Sequence, residues 1–277
     1  EEIVKEISVF EQVSKRPYKS ASEIAVFVDP MGYNLLKESL DLTVDYVRNQ
    51  LNQLHRCGAP IDTFNLSDLS SLDVSRYRLL VFLYAPVISP EVRAAIEKFR
   101  GTKMFLHLPD VASGESLDWE AVGRICSMKL EPEREAQKGS YCGKSFGFHV
   151  DVTPLYQVTD SAASPMAYFE NGDVAVAKKG QVIYSAVGNL PSSLWGTIAQ
   201  SAGVHRYTER DIALYADARI VACQFPGEGT DQLYVQNGDG AYTELFSGET
   251  FYAQNGVLKF HHRHEQTMMF FKKELFS

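Results

Sequence analysis

The chain has 277 residues, 45% of them hydrophobic and 12% aromatic, enough apolar material for a sizeable core in one large domain or two smaller ones. Its 27 Lys+Arg against 35 Asp+Glu leave a formal charge of −8, which argues against the basic stripe that a nucleic-acid backbone requires. No run of about 18 apolar residues is available for a transmembrane helix, and no basic-then-apolar leader follows Glu1, so neither a membrane nor a nucleic-acid partner is expected.

In chain order, Ile3, Val4, Ile7, Phe10 and Val13 recur at helical spacing and predict an amphipathic lead-in helix over Glu1–Arg16, stopped by Pro17. Ile24 to Val28 is a continuous apolar run of the kind buried on both faces. A helix is expected from about Leu40 to Arg56, with Gly58 as its stop, then a short strand over Ile61–Leu66 and a strongly apolar one over Tyr77–Tyr84. Ser89-Pro90-Glu91 is a helix start, with serine as the cap and proline at the first helical position. That helix leads through Gly101 into a fourth strand, Lys103–Leu108, and Asp118–Lys129 reads as another helix. Residues 131–164 show no clear period. Asn171-Gly172 between Met166–Phe169 and Val174–Ala177 is a hairpin signal, followed by a strand over Gln181–Ala186 and a helix over Pro191–Ala202.

Beyond Val204 the period changes to short strands separated by turns such as Asn237-Gly238, Ser247-Gly248 and Asn255-Gly256, the pattern of an all-β sandwich. The expected fold class is therefore α/β, a doubly wound sheet followed by a small all-β sandwich. The expected division is a lead-in over 1–20, an α/β domain over 21–205 and a β-sandwich domain over 206–277.

Asp29, Tyr84 and His107 fall where the first, third and fourth strands end, which is where open α/β sheets bind ligands. They are the candidate pocket, with the alternative that Asp29 caps the next helix and the other two pack under a loop. The turn Asp29-Pro-Met-Gly-Tyr33 lacks G-x-G-x-x-G, so no dinucleotide cofactor is expected. Cys57, Cys126, Cys142 and Cys223 are scattered without a C-x-x-C pair, which argues against a zinc site or a disulfide framework. His261, His262 and His264 cluster, and strand alternation would put the last two on one face, but no metal-ligand spacing is present and a solvated strand end is the expectation. Tyr207, Tyr215, Tyr234, Tyr242 and Tyr252 could stack on sugar rings, although a sandwich would place most of them in its core or edges.

Several of these segments together carry a family resemblance. Ser22–Asp29, the helix running into Arg56-Cys-Gly-Ala-Pro60, Ser67-Asp68-Leu69 and the strand from Tyr77 resemble the glutaminase-amidotransferase-like domain of β-galactosidase-type glycoside hydrolases. Val182–Gly188, continuing to Ala202-Gly-Val-His205, is similar to that domain's closing strand and helix, and Leu245-Phe-Ser-Gly-Glu249 to a turn of the family's small C-terminal β-domain. The resemblance implies a flavodoxin-like, class I amidotransferase-like sheet that follows a catalytic (β/α)8 barrel and serves as a trimerisation domain, with the lead-in helix as the connector. Its implied partners are that barrel, a homo-oligomer and carbohydrate, in a periplasmic or extracellular setting.

Retaining glycosidases need two carboxyl groups about 5–5.5 Å apart on a barrel of typically about 250 residues, for which this chain has no room. Active amidotransferases of this kind carry a cysteine on a Gly-flanked turn after the fourth strand, and here that exit reads His107-Leu-Pro-Asp110. The expected role is therefore structural and non-catalytic, with no catalytic residues, metal or cofactor in this chain. One alternative is a cysteine-dependent enzyme using Cys142, from Gly139-Ser-Tyr-Cys-Gly143, with His149. The other is a carbohydrate-binding module.

Overall fold

A computed structural model describes residues 19–35, 40–113 and 116–272, so the lead-in helix expected over Glu1–Arg16 lies outside the described residues. The chain divides into two compact units. One comprises Glu23–Leu54 and Asp62–Val204; the other comprises His55–Ile61 and His205–Ser277 together with the segment ending at Ser22.

The larger unit is built on a nine-stranded sheet. Its strands and those beside it are, in chain order, β1 (Ile24–Val28), β2 (Ile61–Asn65), β3 (Leu79–Tyr84), β4 (Thr102–Leu106), β5 (Ala112–Ser113), β6 (Ser116–Leu117), β7 (Leu130–Glu133), β8 (Gly139–Tyr141), β9 (Lys144–Phe146), β10 (Leu155–Val158), β11 (Ser164–Phe169), β12 (Val174–Lys179) and β13 (Val182–Ser185). The large sheet runs β2-β1-β3-β4-β13-β12-β11-β8-β9. β1 pairs parallel with β3, β3 with β4, and β4 with β13. Register stacks Phe27 opposite Phe82 and Phe82 opposite Phe105, with ring centroids 5.4 and 4.8 Å apart, so one aromatic row ties the strands together.

The doubly wound expectation describes only part of this sheet. From β13 outward the strands pair antiparallel, β12 with β13, β11 with β12 and β8 with β11, so the sheet is mixed. Asn171-Gly172 turns the β11–β12 hairpin, with Gly172 at φ 97°, a left-handed value open to glycine. The region without a legible period, 131–164, contains the short strands β7 to β10, two of which pair with each other in a separate ribbon.

The helix expected from Leu40 is broken in character. Leu40–Thr43 and Gln50–Leu54 are α-helical, but Val44–Asn49 between them is a π-helical segment. The expected helix over 118–129 forms as Glu120–Cys126 and ends at Ser127 in a left-handed conformation. Ser89 caps the helix Pro90–Lys98, its Oγ accepting from the Val92 amide at 3.3 Å. Replacing Ser89 by Ala should cost about 1 kcal/mol, measurable as a lower urea midpoint with unchanged slope. No described helix is long and apolar enough to cross a membrane.

The second unit departs from the sandwich expectation. Its strands β14 (Leu214–Ala216), β15 (Ile220–Phe225), β16 (Gly229–Tyr234), β17 (Gly240–Glu244), β18 (Thr250–Gln254), β19 (Val257–His262) and β20 (Gln266–Lys272) form one antiparallel sheet, β14-β15-β20-β17-β18-β19-β16. The last strand causes this: β20 pairs with β15 on one side and β17 on the other, joining what would have been two sheets. The sheet curls over one core that contains Leu214, Phe225, Leu233, Tyr242, Leu258, Phe260 and Phe270. Buried Glu244 pins the turn after β17, its carboxylate accepting from the amides of Phe246, Ser247 and Met269.

Candidate functional site

The parallel strands β1, β3 and β4 deliver Asp29, Tyr84 and His107 to their carboxyl ends, and the π-helical segment adds Asp45 and Tyr46 there. Asp45 and Tyr46 are sequence neighbours, yet both are buried, which the widened π turn accommodates. Tyr46 is the hub: its ring centroid lies 4.4 Å from that of Tyr84, 4.9 Å from Phe148 and 5.8 Å from His107. Two of the three candidate residues, Tyr84 and His107, thus share one aromatic cluster.

Both nitrogens of the His107 ring are committed. Nε2 lies 2.9 Å from the Pro154 carbonyl oxygen, which can only accept, so Nε2 carries the hydrogen. Nδ1 is then the acceptor for the Tyr46 hydroxyl. Burial pushes the His107 imidazole down to about 4, with the Pro154 carbonyl opposing, so at neutral pH the ring is uncharged. His107 also holds a left-handed backbone at φ 62°, as do Asp110 at 62° and Asn189 at 52°; this conformation costs most non-glycine residues about 1–2 kcal/mol, and aspartate and asparagine less.

Asp29 does not join the cluster directly. Its Oδ1 accepts from the Met31 amide at 3.0 Å, so it closes the turn leading into the short helix Gly32–Leu35. Its charge is felt at Tyr84, whose phenol is pushed up to about 12 first by burial and then by Asp29.

Beside the rings lies a second feature, a fully buried carboxylate. Asp45 accepts from the His149 amide at 2.6 Å, Asn189 Nδ2 at 2.8 Å, Asn49 Nδ2 at 3.0 Å and the His149 ring Nδ1. Burial would raise this carboxyl, but the bonds from Asn189 and from the His149 amide and ring outweigh it and hold the pKa below the ordinary value. The His149 ring itself is 69% exposed and covers the carboxylate from the solvent side.

Residues 147–154 form a strap over this edge, tied down by hydrogen bonds at Gly147, Phe148, His149, Val152 and Pro154. Asn189 Nδ2 donates to the Gly147 carbonyl, Lys138 Nζ to that of Phe148, and the Val152 amide donates to Gln137. Phe148, 1% exposed, is the plug beneath the strap. Gly188 makes room for it: a Cβ at that position would stand 2.6 Å from the Phe148 ring.

The other candidates separate. Cys142 sits exposed at φ 49° on the tip of the β8–β9 hairpin, and no hydrogen bond joins its thiol to His149, whose ring Nδ1 is taken by Asp45. Burial pushes the Cys57 thiol up to about 11, Cys223 up to about 12 and Cys126 well above the ordinary value, so all three are protonated and inert at neutral pH. His262 is buried, its Nε2 donating to Asp231 Oδ2 over 2.8 Å and its ring stacking on Phe225 at 4.3 Å, whereas His264 lies beyond the end of β19 and is exposed. The two therefore share no strand face, and no grouping of three metal-ligating side chains occurs among the described residues. Tyr207 and Tyr242 are core residues, while Tyr215 and Tyr252 are exposed.

Sequence reasoning missed Asp45, Tyr46, Phe148 and Asn189. Their partners explain why: the Asp45 contacts with His149 and Asn189 span 104 and 144 residues. The one local signal was an aspartate directly beside a tyrosine on the apolar side of a predicted helix.

Neither a family match nor a similar curated protein is found for this sequence. Solved structures do match its fold. The β-galactosidase of Bacillus circulans sp. alkalophilus aligns with 95% of this chain and 43% of its own length, at 13% identity and a TM-score of 0.66. The β-galactosidase of the psychrophilic Marinomonas ef1 aligns with 98% of this chain and 41% of its own, at 11% identity and 0.62. The α-L-fucosidase isoenzyme 2 of Paenibacillus thiaminolyticus aligns with 91% and 48%, at 11% identity and 0.59. The chain spans less than half the length of each of these proteins, and at such identities the likeness is one of fold. It carries the fold of a part of these glycoside hydrolases.

Proposed function

We propose that this chain is a non-catalytic, structural region of a β-galactosidase-like glycoside hydrolase, a class I amidotransferase-like sheet and a small β-domain whose catalytic barrel and carboxylates lie elsewhere in the parent protein. The observation that carries this reading is the plugged carboxyl edge. Where a flavodoxin-like sheet would hold its ligand, the Tyr46 ring packs on Tyr84, on Phe148 and on a neutral His107 whose two nitrogens are already bonded, and Phe148 meets the His107 ring edge-on. The β2-β1-β3-β4-β13 order supports the flavodoxin-like assignment, since it is the 2-1-3-4-5 order of that class. No thiol lies in this cluster, so the nucleophile of a working amidotransferase has no counterpart. Asp29, Tyr84 and His107 are on this reading the remnant of a pocket, and the domain's task is to brace the barrel and join copies of the parent.

The purified chain should show no turnover of p-nitrophenyl β-galactoside and no glutaminase activity, and Cys142→Ser or alkylation with iodoacetamide should change neither result. Hydrolysis that survives purification to homogeneity and is lost in Cys142→Ser or His149→Ala would overturn the proposal in favour of the thiol enzyme.

A further inference from the structure

The outward face of the antiparallel sheet carries a groove of about 350 Å³ lined by Gln232, Tyr252, Gln254, Asn255, Val257 and Lys259. Strand register builds it. Gln232 stands opposite Lys259 and Tyr234 opposite Val257 across β16–β19, while Gln254 stands opposite Val257 across β18–β19. Continuing the β18–β19 register by one pair sets Tyr252 beside Lys259. Two adjacent rows result, Tyr252–Lys259–Gln232 and Gln254–Val257–Tyr234. At about 4.8 Å between strands each row spans about 10 Å, the length of a disaccharide. The alternate residues Leu233, Ala253, Leu258 and Phe260 turn inward and are buried, so these six side chains are held on a stiff floor.

The chemistry of the face is selective. Tyr252 is 69% exposed, the most exposed tyrosine among the described residues, and offers a flat apolar ring. Around it stand three carboxamides, each both donor and acceptor, and the Lys259 ammonium; no carboxylate lines the groove. Gln232 is pre-oriented, its Nε2 donating to the Tyr234 hydroxyl at 2.9 Å, which leaves its carbonyl oxygen to accept from a ligand. A pyranose matches this pattern, with a C–H face for the ring and vicinal hydroxyls for planar amides. Tyr215, 57% exposed, instead packs on His55 at 5.0 Å between centroids and lies outside the groove.

We infer that this groove binds a neutral pyranose oligosaccharide, with Tyr252 as the stacking platform and Gln232, Gln254, Asn255 and Lys259 bonding its hydroxyls. The inference stands on the groove and does not require the scaffold reading. The full chain is titrated by calorimetry and by NMR with β-1,4-galactotetraose, cellotetraose and xylotetraose. At least one should bind saturably with Kd on the order of 1 mM, and Tyr252→Ala should weaken it about tenfold or more. Tyr252→Phe, which keeps the ring, should bind within about twofold of the parent, and Tyr215→Ala should match the parent. Because Tyr252 is exposed, its alanine variant should keep the parent's circular dichroism and thermal midpoint. Absence of saturable binding by all three sugars, or equal binding by Tyr252→Ala and the parent, overturns the inference. Either failure leaves the scaffold reading untouched, since that reading is tested separately by the turnover assays.

Discussion

Replacing Phe148 by Ala should lower stability by about 3–5 kcal/mol, as for other fully buried aromatic truncations. The ring is 1% exposed and sits 4.9 Å from the Tyr46 centroid and 5.3 Å from His107, so its loss leaves a hole bounded by rings that cannot collapse into it. Urea denaturation measures the change directly. Gly188 supplies a control. In the parent, Gly188→Ala forces a Cβ to 2.6 Å from Phe148 and should cost about 1–3 kcal/mol by overpacking. In the Phe148→Ala background the same methyl has space, so the double variant should be clearly more stable than the sum of the single losses. Strict additivity would mean that Phe148 does not occupy the ground beside Gly188, and the plugged edge would lose its chief support.

The strands that form the parallel centre were legible because burial on both faces leaves a local trace. Ile24–Val28 and Leu79–Tyr84 are apolar at every position, and the latter is buried throughout. Ser89-Pro90 and Asn171-Gly172 were legible for a similar reason, since a cap and a tight turn are decided by two or three neighbouring residues. The region 131–164 was not, because strands of three or four residues such as Gly139–Tyr141 and Lys144–Phe146 are too short to show a period. Its strap is held by side chains and by distant partners rather than by a regular ladder.

The choice between one sheet and two failed for a different reason. Turn spacing identifies hairpins, but only the pairing of β20 with both β15 and β17 decides whether the hairpins close into one sheet, and that is a long-range choice. The π-helical segment Val44–Asn49 was invisible in the same sense. Its spacing passes for a helix, and the reason for its widening, the need to bury both Asp45 and Tyr46, exists only once the strap and the sheet edge are in place. The candidate residues Tyr84 and His107 could be placed at strand ends from the pattern alone. That the edge is filled rather than open could not, since Phe148 arrives from 41 residues beyond His107 with no local signal.

Acid should destabilise the larger unit well before its carboxylates titrate. An imidazole in the unfolded chain takes up a proton near pH 6.5, whereas folded His107, desolvated by burial, takes one only near 4. Between those values the unfolded state binds more protons, so stability must fall as the pH falls. At about 1.36 kcal/mol per pKa unit the loss attributable to His107 is about 3 kcal/mol. Asp45 acts later and in the same direction: its folded pKa lies below the ordinary 3.8, so its contribution is intact above that value and is lost only as the pH drops through the folded one. Burial also depresses His55 in the other unit, so the parent's slope is not due to His107 alone. The difference between the parent and His107→Asn isolates it, because asparagine tolerates the left-handed backbone at φ 62° and does not titrate. The variant should be less stable at pH 7, where Tyr46 has lost its acceptor, and its stability should vary distinctly less with pH between 6.5 and 4. Coincident slopes for the two proteins would mean that His107 is protonated as freely in the fold as out of it. Water would then reach the carboxyl edge, and the edge would be a pocket rather than a plug.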